Sequence, residues 1–191
     1  NNYNLKTTNM KKVFLFGFAL AVLAACNSKE SGTTAGGEKT VSDAPDIKSP
    51  YEIGYSSKFT MGNPKNAESV LALWKSWEGG DLNTSKDLFA DSVELYLADG
   101  SKMVGPRDSV LAGAQQFRSS LSSSVPSVDV IFAAKSTDKN EEWALVWGKE
   151  VNTSKDGKVD SVYLHEAWRF NKDGKTDRMF QYAVPATPPQ N

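Results

Sequence analysis

Four segments in which apolar and polar residues alternate dominate the second half of the chain, beginning just after Pro126. This two-residue period is that of a β-strand with one buried face. The turns between the segments are polar, and two of them contain the pairs Asp156-Gly157 and Asp173-Gly174. Glycine supplies the positive φ of a tight hairpin at little cost, so an antiparallel meander is predicted. The predicted strands are residues 127–136, 142–152, 159–170 and 175–184.

A helical pattern precedes these strands. Asn63-Pro64 is a helix-start signal, because proline is tolerated at the first helical position, and Gly79-Gly80 is a stop signal. Between the two signals, apolar residues recur at helical spacing. They are Val70, Leu71, Trp74 and Trp77.

Two shorter helices and a strand are predicted before the meander. The first helix covers residues 84–89 and is capped by Asn83 or Thr84. A strand over 93–98 follows, and Asp99-Gly100 turns it. Gly105-Pro106 opens the third helix, whose apolar side is formed by Val110, Ala114, Phe117 and Leu121.

This order of elements predicts an α+β domain, because all the helices come before the meander. We expect a curved antiparallel sheet with about three N-terminal helices packed on its concave face. Such a sheet and its helices enclose a cone that is open at one end. The cone is either filled by side chains or left as a pocket.

The N-terminal segment has the pattern of an export signal. Lys11 and Lys12 precede a short apolar stretch, residues 13–25, which is well under the ~20 apolar residues of a spanning helix. Its end, Leu23-Ala24-Ala25-Cys26, resembles the lipobox of bacterial lipoproteins, in which the signal is cut before a cysteine that is then lipid-modified. The alternative is an ordinary secretory signal with an accidental cysteine. We predict lipidation at Cys26 and attachment to a membrane of the cell envelope.

The remaining boundaries follow from composition. Residues 1–25 are predicted to be upstream residues and the signal peptide. Residues 26–62 are predicted to be the lipidated cysteine and a flexible tether, because residues 27–50 contain almost nothing apolar. The end of the tether, 51–62, contains several aromatic residues. It either packs onto the domain as an added strand or remains a sticky part of the linker. The folded domain is predicted over 63–185, with a tail at 186–191.

Charge and composition limit the classes of molecule that the chain is predicted to bind. The chain has 22 basic and 23 acidic residues, a formal net charge of −1 and no basic stripe, so no nucleic acid is predicted as a partner. With one histidine, one cysteine and no carboxylates at ligand spacing, no metal is predicted. No phosphate-binding glycine loop is present, and no cofactor is predicted. Asn27, which follows Cys26, resembles the enterobacterial signal for outer-membrane delivery.

Several short motifs stand at the ends of the predicted elements: Glu78-Gly79-Gly80-Asp81-Leu82, Leu88-Phe89-Ala90-Asp91, Asp99-Gly100 and the stretch from Trp168 to Lys175. They resemble motifs of the NTF2-like superfamily, and of its SnoaL-like and ketosteroid-isomerase-like branch in particular. The resemblance covers roughly residues 65–184. It implies the cone-shaped fold inferred above. The superfamily contains both enzymes and non-catalytic binding domains, so the resemblance alone does not define an activity.

Matching a steroid isomerase to these motifs tests one such activity. The catalytic tyrosine of the isomerase falls at Leu73, its general base at Leu97, and its protonated aspartate at Glu166. Leucine cannot transfer a proton, so ketosteroid isomerase chemistry is rejected. Glu166 is left as the best catalytic candidate. It is either a desolvated carboxyl with a raised pKa or a solvated carboxylate at the rim of the cone.

The same matching implies which side chains face the cone. On the last three strands they are Ala144, Val146, Gly148, Glu150, Leu164, Glu166, Trp168, Met179, Gln181 and Ala183. Leu73 and Trp77 are expected to cap the cone from the first helix. The candidate ligand-contacting residues are Glu166, Gln181, Glu150, Trp168, Trp77, Leu73, Leu97 and Val146. The opposite face is expected to carry Trp143, Trp147, His165, Arg169 and Tyr182.

Three functions remain open at this point. The first is a membrane-anchored domain that binds a small, mostly apolar ligand or a protein partner. The second is a SnoaL-like enzyme that uses Glu166 as general acid or base on a small organic substrate. The third is a homodimeric assembly module that uses Trp143 and Trp147, because exposed indoles mark an interface and many members of the superfamily dimerise through this face.

Overall fold

The computed structural model describes residues 47–186. The signal peptide, Cys26, most of the tether and nearly all of the tail lie outside the described residues. The elements, in chain order, are β1 Phe59–Met61, α1 Pro64–Gly79, a 3-10 helix Leu82–Leu88, β2 Phe89–Tyr96, β3 Lys102–Pro106, α2 Arg107–Ser119, β4 Leu121–Ser136, β5 Glu141–Ser154, β6 Val159–Phe170 and β7 Thr176–Pro185.

The strands form one curved, unclosed sheet of seven strands in the order β1-β4-β5-β6-β7-β2-β3. All neighbours are antiparallel except β2 and β7, which run parallel. Helix α1 packs against β4 and β5, and α2 packs against β2 and β3. The predicted α+β class, with three helices on one face of a curved antiparallel meander, is confirmed.

Helix α1 begins and ends where the sequence signals place it. The Asn63 side chain accepts a hydrogen bond from the backbone N–H of Lys65, and Gly80 ends the helix in the left-handed conformation with φ 82°. Val70 and Trp74 are buried as predicted, but Leu71 is 38% exposed. Leu73 is buried instead, because positions 70, 73, 74 and 77 follow the helical period more closely than position 71 does.

The segment between α1 and α2 differs from the prediction. The 3-10 helix starts at Leu82, because Asp81 rather than Asn83 or Thr84 supplies the cap: its side chain accepts from the Asn83 backbone N–H at 3.0 Å. Strand β2 begins at Phe89. Strand β3 was not predicted; Gly105-Pro106 ends it, and α2 begins only at Arg107.

The predicted apolar side of the third helix was partly wrong. Val110 is buried, and its neighbour Leu111 is buried as well. Phe117 is 62% exposed and stacks on Trp77. Leu121 belongs to β4, because the helix ends at Ser119.

The end of the tether packs onto the domain, which resolves the alternative left open by the sequence. Strand β1 pairs with the last residues of β4, and Gly62 N–H donates to the Ala133 carbonyl at 2.9 Å. Tyr55 lies edge-on against Trp143 with ring centroids 6.2 Å apart. The Ser56 hydroxyl donates to Asp138 in the turn after β4.

The meander strands alternate between two faces as expected. On the concave face Val146 is fully buried, and Leu164, Trp168 and Met179 are nearly so. Two residues expected there differ, since Glu150 is half-buried and Ala183 is exposed. Both lie toward strand ends.

Candidate functional site

Glu166 lies at the centre of the concave face of the sheet. It stands on β6, opposite Val146 of β5 and Gln181 of β7. Only 5% of the residue is exposed, and its surroundings belong to the main hydrophobic core. The structure therefore places this carboxyl group in the interior rather than at a solvated rim.

Three side-chain donors satisfy the Glu166 carboxyl group. Oε2 accepts from Nε1 of Trp74 at 2.7 Å and from Nε1 of Trp168 at 2.9 Å. Oε1 accepts from Nε2 of Gln181 at 2.9 Å. Donors from α1, β6 and β7 thus converge on one group, which meets the requirement that buried polar atoms be hydrogen-bonded.

Burial raises the pKa of Glu166 above its ordinary value of 4.5, because desolvation penalises the charged form. The three donated hydrogen bonds act in the opposite direction, and the charge of Glu150 adds to the increase. A carboxyl group with a raised pKa can serve as a general acid or base. To do so it must also contact a substrate, and here both of its oxygens already accept hydrogen bonds from the protein's own side chains.

The Trp74 indole fills the cone beside Glu166. A Cβ placed on Gly148 would lie 3.0 Å from two ring carbons of Trp74, so the indole packs directly on the β5 backbone. Trp168 extends the aromatic filling toward Phe89, with centroids 6.3 Å apart. Glycine at 148 is what allows this close approach.

Two surface depressions on the described part of the chain are lined by residues other than Glu166. One, of about 470 Å³, lies between the 3-10 helix and α2, where Leu82, Lys86 and Asp108 contribute to its wall. The other, of about 290 Å³, lies between α1 and the 3-10 helix and is lined in part by Ala72 and Thr84.

The predicted site residues fall into two groups. Glu166, Gln181 and Trp168 form one hydrogen-bonded cluster, and Leu73 and Val146 lie in the core around it, with Leu97 packed against that core. Two further residues stand toward the other end of the cone and belong to separate hydrogen bonds. Glu150 accepts from Nδ2 of Asn152 at 2.7 Å, and Trp77 donates to Oγ of Ser124 at 3.0 Å.

Trp74 is the residue that sequence reasoning missed. Its helical spacing marked it as core, which it is, but not as a partner of Glu166. The signal was available, because a buried indole N–H needs an acceptor and Glu166 was the carboxyl group expected on the facing strand.

The opposite side of the sheet carries two rows of stacked rings, which we call the outer aromatic face. Its residues are Tyr96, Phe132, Trp143, Trp147, His165, Phe180 and Tyr182. Trp147 stacks on His165 with centroids 4.5 Å apart, and His165 contacts Tyr182 at 5.9 Å. Phe180 stacks on Tyr96 at 4.9 Å and on Trp143 at 6.3 Å.

Within residues 47–186, no group of three or more His, Cys, Asp or Glu side chains is arranged to hold a metal ion. In the same range, none of the helices has the length and apolarity that would let it cross a membrane.

The fold is similar to those of several solved structures. A SnoaL-like protein of Shewanella denitrificans, described among the polyketide cyclases, matches with a TM-score of 0.53 and 11% identity over 64% of this chain and 92% of that protein. AusH from Aspergillus nidulans matches with a TM-score of 0.52 and 14% identity, over 67% of this chain and 89% of its own. An NTF2-like protein of unknown function from Burkholderia pseudomallei matches with a TM-score of 0.51 and 17% identity, over 62% of this chain and 90% of that protein.

These similarities identify the fold as NTF2-like, and at such identities they concern the fold alone. No protein-family profile and no curated protein matches the chain.

Proposed function

We propose that this protein is a lipid-anchored NTF2-like domain that acts by binding rather than by catalysis, and that its outer aromatic face pairs with a second copy of the chain. The contrast between the two sides of the sheet carries the proposal. On the concave side, both Glu166 oxygens already have partners within the chain. On the outer side, Tyr182 remains 61% exposed at the end of a row of stacked rings.

The enzymatic alternative has less support. A general acid or base must lie within hydrogen-bond reach of the atom that it serves. At Glu166, both oxygens already accept hydrogen bonds, from Trp74, Trp168 and Gln181. A substrate, or a small apolar ligand at the same place, would have to displace the Trp74 indole from its contact with β5.

The charges on the outer face favour a second copy as the partner. Arg169 pairs with Asp177 at 2.8 Å, and Arg178 pairs with Glu94 at 2.7 Å. Because these charges are neutralised within the chain, two copies can meet face to face without strong repulsion. A two-fold interface brings the same patch of each subunit together, which a neutral aromatic surface allows.

Unpartnered polar atoms on this side also support an interface. Among the described residues, Oε2 of Glu141, Nε1 of Trp143 and Nε2 of His165 are buried without a hydrogen-bond partner. Buried polar groups are normally satisfied, so each needs an explanation. A partner surface that reorders these side chains would bring donors and acceptors to them.

Sedimentation of the mature chain carrying Cys26→Ser tests the pairing without the lipid. We expect a dimer. We expect Tyr182→Lys to shift it to monomer, because the lysine of each subunit would be buried in the interface with the same residue of the other subunit. Leu71→Lys is the matched control, since Leu71 is a partly exposed apolar residue on α1 rather than on the sheet. A chain that stays monomeric at high concentration would contradict the proposal.

The anchor is tested separately. The motif Leu23-Ala24-Ala25-Cys26 supports acylation of the cysteine, and several acyl chains would hold the protein on a membrane, since each buried CH₂ contributes ~0.8 kcal/mol. We expect the N-terminal peptide to carry the lipid mass and the protein to fractionate with outer membranes. Cys26→Ala should release it, whereas Ser28→Ala should not. An unmodified cysteine would refute the anchor and leave the dimer test unaffected.

A further inference from the structure

A second polar cluster lies on the concave side, away from Glu166. Glu150 and Asn152 stand two residues apart on β5 and so share one face of the strand. Across the sheet, Ser124 of β4 is the direct neighbour of Asn152. This cluster is separate from both the Glu166 site and the outer aromatic face.

The Asn152 amide has one satisfied end and one unsatisfied end. Its Nδ2 donates to Oε1 of Glu150 at 2.7 Å, whereas its Oδ1 is buried and has no partner among the described residues. Turning the amide over would bring Oδ1 against the Glu150 carboxylate, where two acceptors would face each other. The hydrogen bond to Glu150 therefore fixes the orientation, and an acceptor is left without a donor.

Glu150 adds an uncompensated negative charge to this acceptor. No ion pair to Glu150 is found among residues 47–186, and its charge is felt at Glu166, where it favours the protonated form. Two acceptor groups and one negative charge are complementary to a cation with several N–H donors. An ammonium group, with three donors and no acceptor, has that chemistry.

An aromatic wall lies beside the acceptors. Nε1 of Trp77 donates to Oγ of Ser124 at 3.0 Å. Because Ser124 lies directly across from Asn152, this hydrogen bond holds the indole near Asn152. Phe117 stacks on Trp77 at 6.1 Å and is 62% exposed, so it forms the outer part of the wall. Aromatic rings attract cations through their faces and also pack against an alkyl chain.

We propose that Glu150, Asn152 and Trp77 form a binding site for an organic ammonium ion, with the charged nitrogen at Glu150 and Asn152 and the alkyl part against Trp77 and Phe117. The site does not require the chain to dimerise, because it lies on the other side of the sheet.

Titration of the mature Cys26→Ser chain with n-hexylammonium tests this site, followed by the indole N–H signals in ¹H–¹⁵N NMR spectra. We expect saturable shifts at Trp77 and at the Asn152 amide. Glu150→Gln should weaken binding by about tenfold or more, because a hydrogen bond to a charged group is lost, and Asn152→Leu should weaken it as well. Glu68→Gln, the same change at an exposed position of α1, should leave binding unchanged.

Hexanol is the neutral comparison. Equal binding of hexanol and hexylammonium would overturn the proposal, as would unchanged binding in Glu150→Gln. The absence of saturable shifts would mean that Asn152 Oδ1 is satisfied only by an ordered water. Well-dispersed spectra of each variant establish folding. Monomeric Tyr182→Lys should bind hexylammonium normally, so failure of the dimer and failure of this site are distinguishable.

Discussion

The Trp74 indole on α1 donates a 2.7 Å hydrogen bond to Oε2 of Glu166 on β6, across 92 positions of sequence. It is a polar link between the helical layer and the sheet inside an otherwise apolar core. Burying a carboxyl group is unfavourable unless it is hydrogen-bonded, and here Trp168 and Gln181 complete the set. The cluster therefore favours one arrangement of α1 on the sheet.

Replacing Glu166 separates its polar role from its packing. Glu166→Leu would leave two indole N–H groups and the Gln181 amide without their acceptor, and we expect a loss of about 3 kcal/mol in the free energy of unfolding. Glu166→Gln keeps an oxygen acceptor and should lose about half as much. Urea denaturation measures both, with Glu68→Leu on the exposed side of α1 as control. Equal losses for the two Glu166 variants would indicate that packing alone matters.

The pKa of Glu166 predicts a dependence of stability on pH. Burial raises the pKa of the folded state above the ordinary value of 4.5. The protonated group therefore stabilises the fold fully below about pH 4.5, and this contribution is lost as the pH rises through the raised folded value. The free energy of unfolding of the native chain, minus that of Glu166→Gln, should fall with increasing pH in this window. A difference that rises with pH would mean that the three donated hydrogen bonds outweigh desolvation.

Gly148 should tolerate no side chain. A Cβ there would clash with the Ser127 carbonyl oxygen and press on the Trp74 ring. We expect Gly148→Ala to destabilise the fold by about 1–3 kcal/mol, as overpacking does. Gly79→Ala is the matched control, because a Cβ at that position meets nothing within 4 Å. Thermal unfolding monitored by tryptophan fluorescence compares the two, and similar midpoints would refute the close packing of Trp74 on β5.

Local patterns were sufficient for much of the secondary structure. The Asn63 cap, the Gly80 stop and the Asp-Gly turns act over a few residues, so they could be recognised in the sequence. The match to a steroid isomerase, added to the alternation in the meander, implied which side of the sheet Val146 and Trp168 occupy. Strand β3 escaped prediction, because its five residues are stabilised by pairing with β2 rather than by a pattern of their own.

Contacts between distant segments were less accessible. The aromatic residues near Tyr55 could belong to a linker or to an arm, and only the pairing of β1 with β4 decided between them. Phe117 fitted a helical apolar stripe, yet it lies at the exposed end of α2. Periodicity indicates which side of an element is apolar but not where the neighbouring element stops covering it.

The sequence by itself determined the class of the fold and the two-residue alternation of the meander strands, because each depends on residues that are close together in the chain. Only the tertiary structure decided that Trp74 meets Glu166 and occupies the cone, and that Asn152 keeps an acceptor without a donor. Those outcomes depend on where side chains from α1 and from separate strands arrive in space. The positions of these side chains follow from the packing of the whole domain, which no local pattern encodes.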